Sequence, residues 1–193
     1  MTELSQLTND ELLAIIAPSI RLDGRTLKDV AITPITDLHK SGVTMQSAKR
    51  IKAAFELGYR YLSQCKTAGE TINSPEDVAR IFIPKLRPLD HEEFHVVMLS
   101  NSGRIIEDFT VSKGILNASL IHPREVYKRA VLLSAASVIL VHNHPSGIRE
   151  ASKEDHHITK QLVSAGKMMD IPVQDHVIVC GESYISFAES GWL

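Results

Sequence analysis

Two histidines and an aspartate are spaced as ligands of one metal ion. His142 and His144 follow an apolar run over residues 136–141, and side chains two apart on a strand point the same way. Eleven residues after His144 comes Asp155, in the first turn of a helix that Ser152 begins. Two imidazoles and one carboxylate make a catalytic zinc set with a fourth position for water. Zinc lowers the pKa of that water to about 7, so the set predicts hydrolytic chemistry at neutral pH.

The same residues also have an ordinary structural interpretation. A histidine pair at i, i+2 is often only the polar end of a strand, and the stretch from Ser152 to Asp155 resembles a capping box, which needs no metal. Together the two features are harder to explain this way. Two imidazoles at the end of an apolar strand cost desolvation energy unless something pairs with them.

The elements that would position these residues lie after residue 70. Residues 1–70 are helical and polar in pattern, with helices over 9–16 and 45–65, and 66–71 is a small polar linker. We therefore predict a helical module over 1–70 and a second domain over 71–193.

The second domain alternates helices and strands. Ser74 begins a helix that Pro84 and Pro88 end, and Ser152 begins a later one. A third helix starts at Pro123, and the strand patterns are a hairpin over 94–100 and 104–111, a weaker strand over 115–121, and strands over 136–141 and 173–180. This order predicts an α+β, or mixed α/β, fold with helices flanking one sheet.

Composition excludes several classes of protein. The 193 residues are 44% hydrophobic and 23% charged, with a net charge of −2, which is typical of a globular chain without a strong charge footprint for nucleic acid. No apolar run reaches the ~18–20 residues of a membrane span, and no signal peptide is visible. Two distant cysteines, Cys65 and Cys180, favour a reducing compartment. We expect a cytoplasmic protein without a membrane partner.

One motif in full carries a family resemblance. His142, His144, Ser152 and Asp155 match the pattern His-x-His, then seven residues, Ser, two residues and Asp. This pattern is the JAMM motif of MPN-domain metalloproteases. With 122–125 (His-Pro-Arg-Glu), 142–147 (His-Asn-His-Pro-Ser-Gly) and 175–176 (Asp-His), residues 71–193 resemble the bacterial RadC family. The resemblance implies an MPN/JAMM-like, cytidine-deaminase-like sheet flanked by helices.

The resemblance also implies roles for single residues. His142, His144 and Asp155 would bind Zn²⁺, and Ser152 would hold the scissile carbonyl and its developing oxyanion. The family's Glu-x-Phe before an early strand is matched by Glu92, which would be the general acid/base. Two other glutamates stay open as the base: Glu93 beside it, and Glu125 in the first turn of the helix at Pro123. Without the resemblance, each is an ordinary acid at a strand start or helix N-terminus.

The implied activity is hydrolysis of a peptide or isopeptide bond, with a peptide or protein substrate that the sequence does not identify. Two alternatives are a non-catalytic MPN scaffold and a DNA-associated protein of repair or of mobile elements. The family's helix-hairpin-helix would occupy 41–51, but Thr44 stands at its second glycine, and residues 1–70 hold nine Lys/Arg against eight Asp/Glu. We therefore expect a packing or homo-oligomerisation module there.

Other polar residues have less defined interpretations. Asp175 and His176 are either a pair near the metal or a strand-end polar pair. His156 and His157 fit a solvated helix face, and Cys180 fits the core.

Overall fold

The chain folds into two compact units, Met1–Gln64 and Cys65–Leu193. The structure is a computed structural model that describes residues 4–64, 68–114 and 121–193. Within these ranges no helix is both long and apolar enough to span a bilayer. The predicted strand over 115–121 lies, up to residue 120, outside the described residues.

The N-terminal unit is helical. Its helices are α1 (Asn9–Ile16), α2 (Leu27–Ile32), α3 (Ile35–Lys40) and α4 (Met45–Gln64), after a short 3-10 turn at Leu4–Gln6. Threonine N-caps start two of them: Thr8 pairs with Glu11 and Thr26 with Asp29, each in a capping box. The helices enclose an apolar core that includes Leu13, Ile20, Val30, Leu38, Ala48 and Ile51.

The C-terminal unit is a five-stranded sheet with helices between its strands. In chain order its elements are α5 (Pro75–Leu86), β1 (Glu93–Leu99), β2 (Ile105–Lys113), α6 (Pro123–Leu132), β3 (Ser137–Asn143), α7 (Lys153–Met169), β4 (Val173–Cys180) and β5 (Ser183–Ser186). The strand order is β2-β1-β3-β4-β5. The pair β3–β4 is parallel and crosses over through α7, while the other pairs are antiparallel. The predicted mixed α/β fold is confirmed.

Helices cover the central strands β1 and β3, whose residues are all buried. On one face Phe94, Val96 and Leu140 pack with Val126 of α6 and Ile158 of α7. Helix α5 contacts β3, β4 and β5. Because the centre of the sheet is dry, polar side chains there need internal partners.

The helix predicted to begin at Ser74 is α5, and it ends at Leu86, two residues before Pro88, but Pro84 does not end it. Pro84 lies inside α5, which continues to the buried Leu86 instead of stopping at the proline. Proline removes one helical N–H and frees the carbonyl four residues earlier. Pro84 and Arg80 are both exposed, so that carbonyl lies on the side of the helix that water reaches. Strand β5 was not predicted, because its four residues give too short a pattern.

Candidate metal centre

The site forms where β3 ends and α7 begins. His142 is the next-to-last residue of β3, and His144 follows the strand, its N–H donating to the Val179 carbonyl at 2.9 Å. In a parallel strand–helix–strand unit the carboxyl end of the strand leads to the helix N-terminus. Asp155 is the third residue of α7 and therefore faces both imidazoles.

Three ligand atoms converge at this point. The Nε2 atoms of His142 and His144 are 3.1 Å apart. The Asp155 carboxylate places Oδ1 3.1 Å from Nε2 of His142 and Oδ2 3.5 Å from Nε2 of His144. Ligand atoms on a tetrahedral zinc, each about 2.0–2.1 Å from the ion, lie about 3.3 Å from one another. The donor types and their separations therefore fit Zn²⁺.

Local structure holds two of the candidate ligands, His144 and Asp155, in place. Nδ1 of His144 lies 3.1 Å from the Ile148 carbonyl, which can only accept, so His144 carries its proton on Nδ1 and turns Nε2 to the site. Asp155 is fixed by a capping box: the Ser152 N–H donates to its Oδ2 at 2.7 Å, and its own N–H donates to the Ser152 hydroxyl at 3.1 Å. The capping interpretation and the ligand interpretation of these residues are therefore compatible.

The electrostatics of the cluster require a positive charge. Burial opposes ionisation of Asp155, but its close contacts with the imidazoles of His142 and His144 outweigh it and hold the pKa of Asp155 far below its usual range. The hydrogen bond to Asp155 in turn raises the pKa of His144 to about 10. A carboxylate that is ionised and nearly buried needs a cation beside it. Without a metal ion, a proton on His144 meets that need.

A cleft of about 480 Å³ opens over this cluster. Glu92, His144, Ser152 and Asp155 all line it. His142 is fully buried behind them. Ser152 is exposed and N-caps α7. Because its oxygen accepts from the Asp155 N–H, its own proton can point into the cleft.

The other two candidate bases lie elsewhere. Glu93 is buried on β1, where its carboxylate bonds to His95 at 3.1 Å and to Lys113 at 3.0 Å. Burial opposes its ionisation, but hydrogen bonds with His95, Lys113 and His91 lower the pKa of Glu93 to about 2. Glu125 lies in the first turn of α6, pairs with Arg124 and does not line the cleft. Of the three glutamates, Glu92 shares a cleft with the ligands.

Sequence reasoning missed Asn143. Its buried amide donates to the His91 carbonyl at 3.0 Å, and its Oδ1 accepts from the Glu93 N–H at 2.8 Å. Asn143 therefore ties the segment that carries Glu92 to the strand that carries the histidines. The signal in the sequence that could have indicated this role was a polar residue between the two histidines at the end of an apolar strand.

The Asp175–His176 pair divides into two roles. His176 contacts the candidate ligand His142, with Nε2 2.8 Å from Nδ1 of His142. Asp175 instead accepts from Ser186 and from the Ala188 N–H, which fixes the chain after β5.

The remaining polar residues named above are two histidines of α7 and one cysteine of β4. His156 is exposed, with its ring centroid 4.9 Å from those of Phe187 and Trp192, and His157 is exposed as well. Cys180 is buried in an apolar cluster, as predicted, and its side chain also interacts with His144.

Comparison with known proteins agrees with this architecture. The family model described as "RadC-like JAB domain" matches residues 72–192. A UPF0758 protein of Caldanaerobacter subterraneus is 40% identical over 200 residues, covering 96% of this chain and 86% of that protein. A UPF0758 protein of Salinibacter ruber is 47% identical over 151 residues, covering 78% and 65%. A UPF0758 protein of Methanosarcina mazei is 36% identical over 200 residues, covering 97% and 87%.

Proposed function

This chain belongs to the RadC-like JAB domain family, and on that premise we propose that it is a zinc-dependent hydrolase of the JAMM type. It cleaves a peptide or isopeptide bond in a peptide or protein substrate. The observation that carries the proposal is the convergence of His142, His144 and Asp155, whose ligand atoms all lie within 4.8 Å of one another. Glu92 and Ser152 line the same cleft.

His142, His144 and Asp155 would hold the ion. Bound zinc supplies Lewis acidity and brings the pKa of a coordinated water to about 7. The carboxylate of Asp155 balances part of the ion's charge, and the two neutral imidazoles supply Nε2 donors. The cleft that His144 and Asp155 line would admit substrate and water to the ion.

Two residues of the cleft carry the proton and the charge. Glu92 accepts a proton from the attacking water while the water oxygen bonds to the carbonyl carbon. The Ser152 hydroxyl donates a hydrogen bond to the carbonyl oxygen as negative charge develops on it. Glu92 then gives the proton to the leaving amine nitrogen as the carbon–nitrogen bond breaks. Water is consumed, and a carboxylic acid and an amine are formed.

The test combines metal analysis with a hydrolysis screen. We expect one zinc per chain in the wild type and none in the double variant His142→Ala, His144→Ala. The zinc-loaded wild type should cleave members of a diverse peptide and protein library, while Glu92→Gln should bind zinc and cleave them ~10²- to 10⁴-fold more slowly. Glu125→Gln is the matched control, because it removes a carboxylate that lies outside the cleft. A wild type without stoichiometric zinc would refute the proposal.

The two alternative functions have less support. A non-catalytic scaffold does not need a complete donor set with a glutamate and a serine in the same cleft. For DNA binding, the relevant segment is the turn between α3 and α4. There the Thr44 hydroxyl accepts from the Ser47 N–H at 3.1 Å, so this amide is already paired within the N-terminus of α4. A DNA titration at low salt tests this alternative, because phosphate contacts give salt-dependent binding.

A further inference from the structure

A chain of hydrogen bonds runs from His142 back to α7. Nδ1 of His142 lies 2.8 Å from Nε2 of His176, and Nδ1 of His176 lies 2.6 Å from the hydroxyl of Thr159. The same hydroxyl lies 2.5 Å from the backbone carbonyl of Asp155. All three side chains are buried, so each polar atom depends on its neighbour in the chain.

The Asp155 carbonyl at the end of these hydrogen bonds determines which atom donates in each of them. A carbonyl can only accept, and two oxygens 2.5 Å apart need a proton between them, so the single Thr159 proton goes to Asp155. The hydroxyl must then accept from His176, which places a proton on Nδ1 of His176. In a neutral imidazole the other nitrogen is an acceptor. Nε2 of His176 therefore accepts from Nδ1–H of His142.

The surroundings of His176 keep its ring neutral. The ring is fully buried, and its centroid lies 5.6 Å from that of Phe94 and 4.7 Å from that of Phe187. Its two nitrogens contact a hydroxyl and another imidazole, and neither is bonded to a carboxylate. An imidazolium in this position would lose its hydration without gaining a counterion.

We propose that Thr159 and His176 are positioning residues that keep the proton of His142 on Nδ1 and so leave Nε2 free to bind the metal ion. The inference rests on the proposed function, in which His142 is a zinc ligand. His144 is oriented in the same sense by a backbone carbonyl, that of Ile148. For His142 the orientation comes from side chains, so substitution can remove it.

Removing the Thr159 hydroxyl should reverse the direction of the hydrogen bond between His142 and His176. Without that acceptor, the His176 proton moves to Nε2 and donates to Nδ1 of His142. The His142 proton then lies on Nε2, which is 3.1 Å from Oδ1 of Asp155 and can donate to it. Zinc would have to displace this proton and leave a buried N–H without its acceptor. Lost support behind a metal-bound histidine typically lowers metal affinity by ~10- to 100-fold.

The experiment uses the full chain as wild type, Thr159→Val and Thr159→Ser. Valine keeps the shape of threonine without the hydroxyl, and serine restores the hydroxyl, which can bond to the carbonyl four residues earlier. Zinc affinity is measured by competition with a chromophoric chelator. The ring tautomers of the metal-free proteins are read from nitrogen-15 spectra, a property that a general loss of packing does not set.

We expect Nδ1–H on His176 in the wild type and in Thr159→Ser, and Nε2–H in Thr159→Val. Zinc affinity should fall by ~10- to 100-fold in Thr159→Val alone. If Thr159→Val keeps both the wild-type tautomer and the wild-type affinity, the inference is wrong, while the proposed function stands. A wild type that binds no zinc would instead overturn the proposed function and, with it, this role of Thr159 and His176.

Discussion

Substitution of Ser152 should separate stability from turnover. Its hydroxyl accepts a hydrogen bond from the Asp155 N–H at 3.1 Å. Loss of an N-cap costs about 0.5–2 kcal/mol. The reciprocal bond, from the Ser152 N–H to Oδ2 of Asp155 at 2.7 Å, is donated by the backbone and survives in alanine. Because Ser152 is also exposed and loses little packing, we expect Ser152→Ala to lie in the lower half of that range.

The effect on turnover should be much larger. A side chain that donates to a developing oxyanion is worth ~10²–10³ in rate, whereas about 1 kcal/mol of stability lowers Tm by only about 4 °C in a unit of this size. Ser152→Thr keeps the acceptor and the donor and should preserve both properties. Ser152→Asp keeps an acceptor for the cap but offers no proton at neutral pH, so stability should recover while turnover stays low.

The assay is a thermal melt and a turnover measurement on the four proteins, with zinc content matched. Turnover is followed on the substrate that the library screen identifies. If Ser152→Asp recovers both stability and activity, Ser152 is only a helix cap and the reasoning about the oxyanion fails.

Three further outcomes are expected. Glu92→Gln should retain zinc and lose ~10²–10⁴ in turnover, because glutamine has the same shape but accepts no proton, whereas Glu125→Gln should keep wild-type turnover. Free zinc at 100 times its Kd should stabilise the fold by about 2.7 kcal/mol, and a chelator should reverse this in melts of the wild type but have no effect on the double variant His142→Ala, His144→Ala. Hydrogen bonds lower the pKa of Glu93 from 4.5 to about 2 on folding, so its contribution to stability is present above about pH 4.5 and lost as pH falls toward 2. The free energy of unfolding, measured with urea across this range, should therefore fall less steeply with decreasing pH in Glu93→Gln than in the wild type. An equally steep fall would contradict the assignment.

Local signals in the sequence were enough for most elements. The caps at Ser74 and Ser152 predicted the starts of α5 and α7, and the apolar run before His142 predicted β3. These features depend on residues within one or two turns, where propensity and capping act directly. The convergence of the three candidate ligands was predictable for the same reason, since they span only fourteen positions.

The support behind the ligands depends on contacts that are distant in the sequence. His176 lies 34 residues from His142, and Thr159 lies 17 residues from His176. They meet because β3 and β4 pair in parallel, with Leu140 opposite His176, a register that no local pattern specifies. The choice between Glu92 and Glu93 had the same difficulty. Adjacent residues on an extended segment face opposite sides, and only the pairing of β1 shows which of the two glutamates lies at the cleft.

The spacing along α7 determines where the chain tolerates changes in length. Ser152, Asp155 and Thr159 stand three and four residues apart, so the helix N-terminus carries a cleft hydroxyl, a candidate ligand and the side chain that orients another ligand. One residue inserted between Asp155 and Thr159 would rotate everything beyond it by about 100° and turn Thr159 away from His176. The same insertion between Ile148 and Ser152 leaves the helical frame intact. Insertion scanning should therefore find a sharp boundary at Ser152, with added residues accepted before it and rejected for about two turns after it.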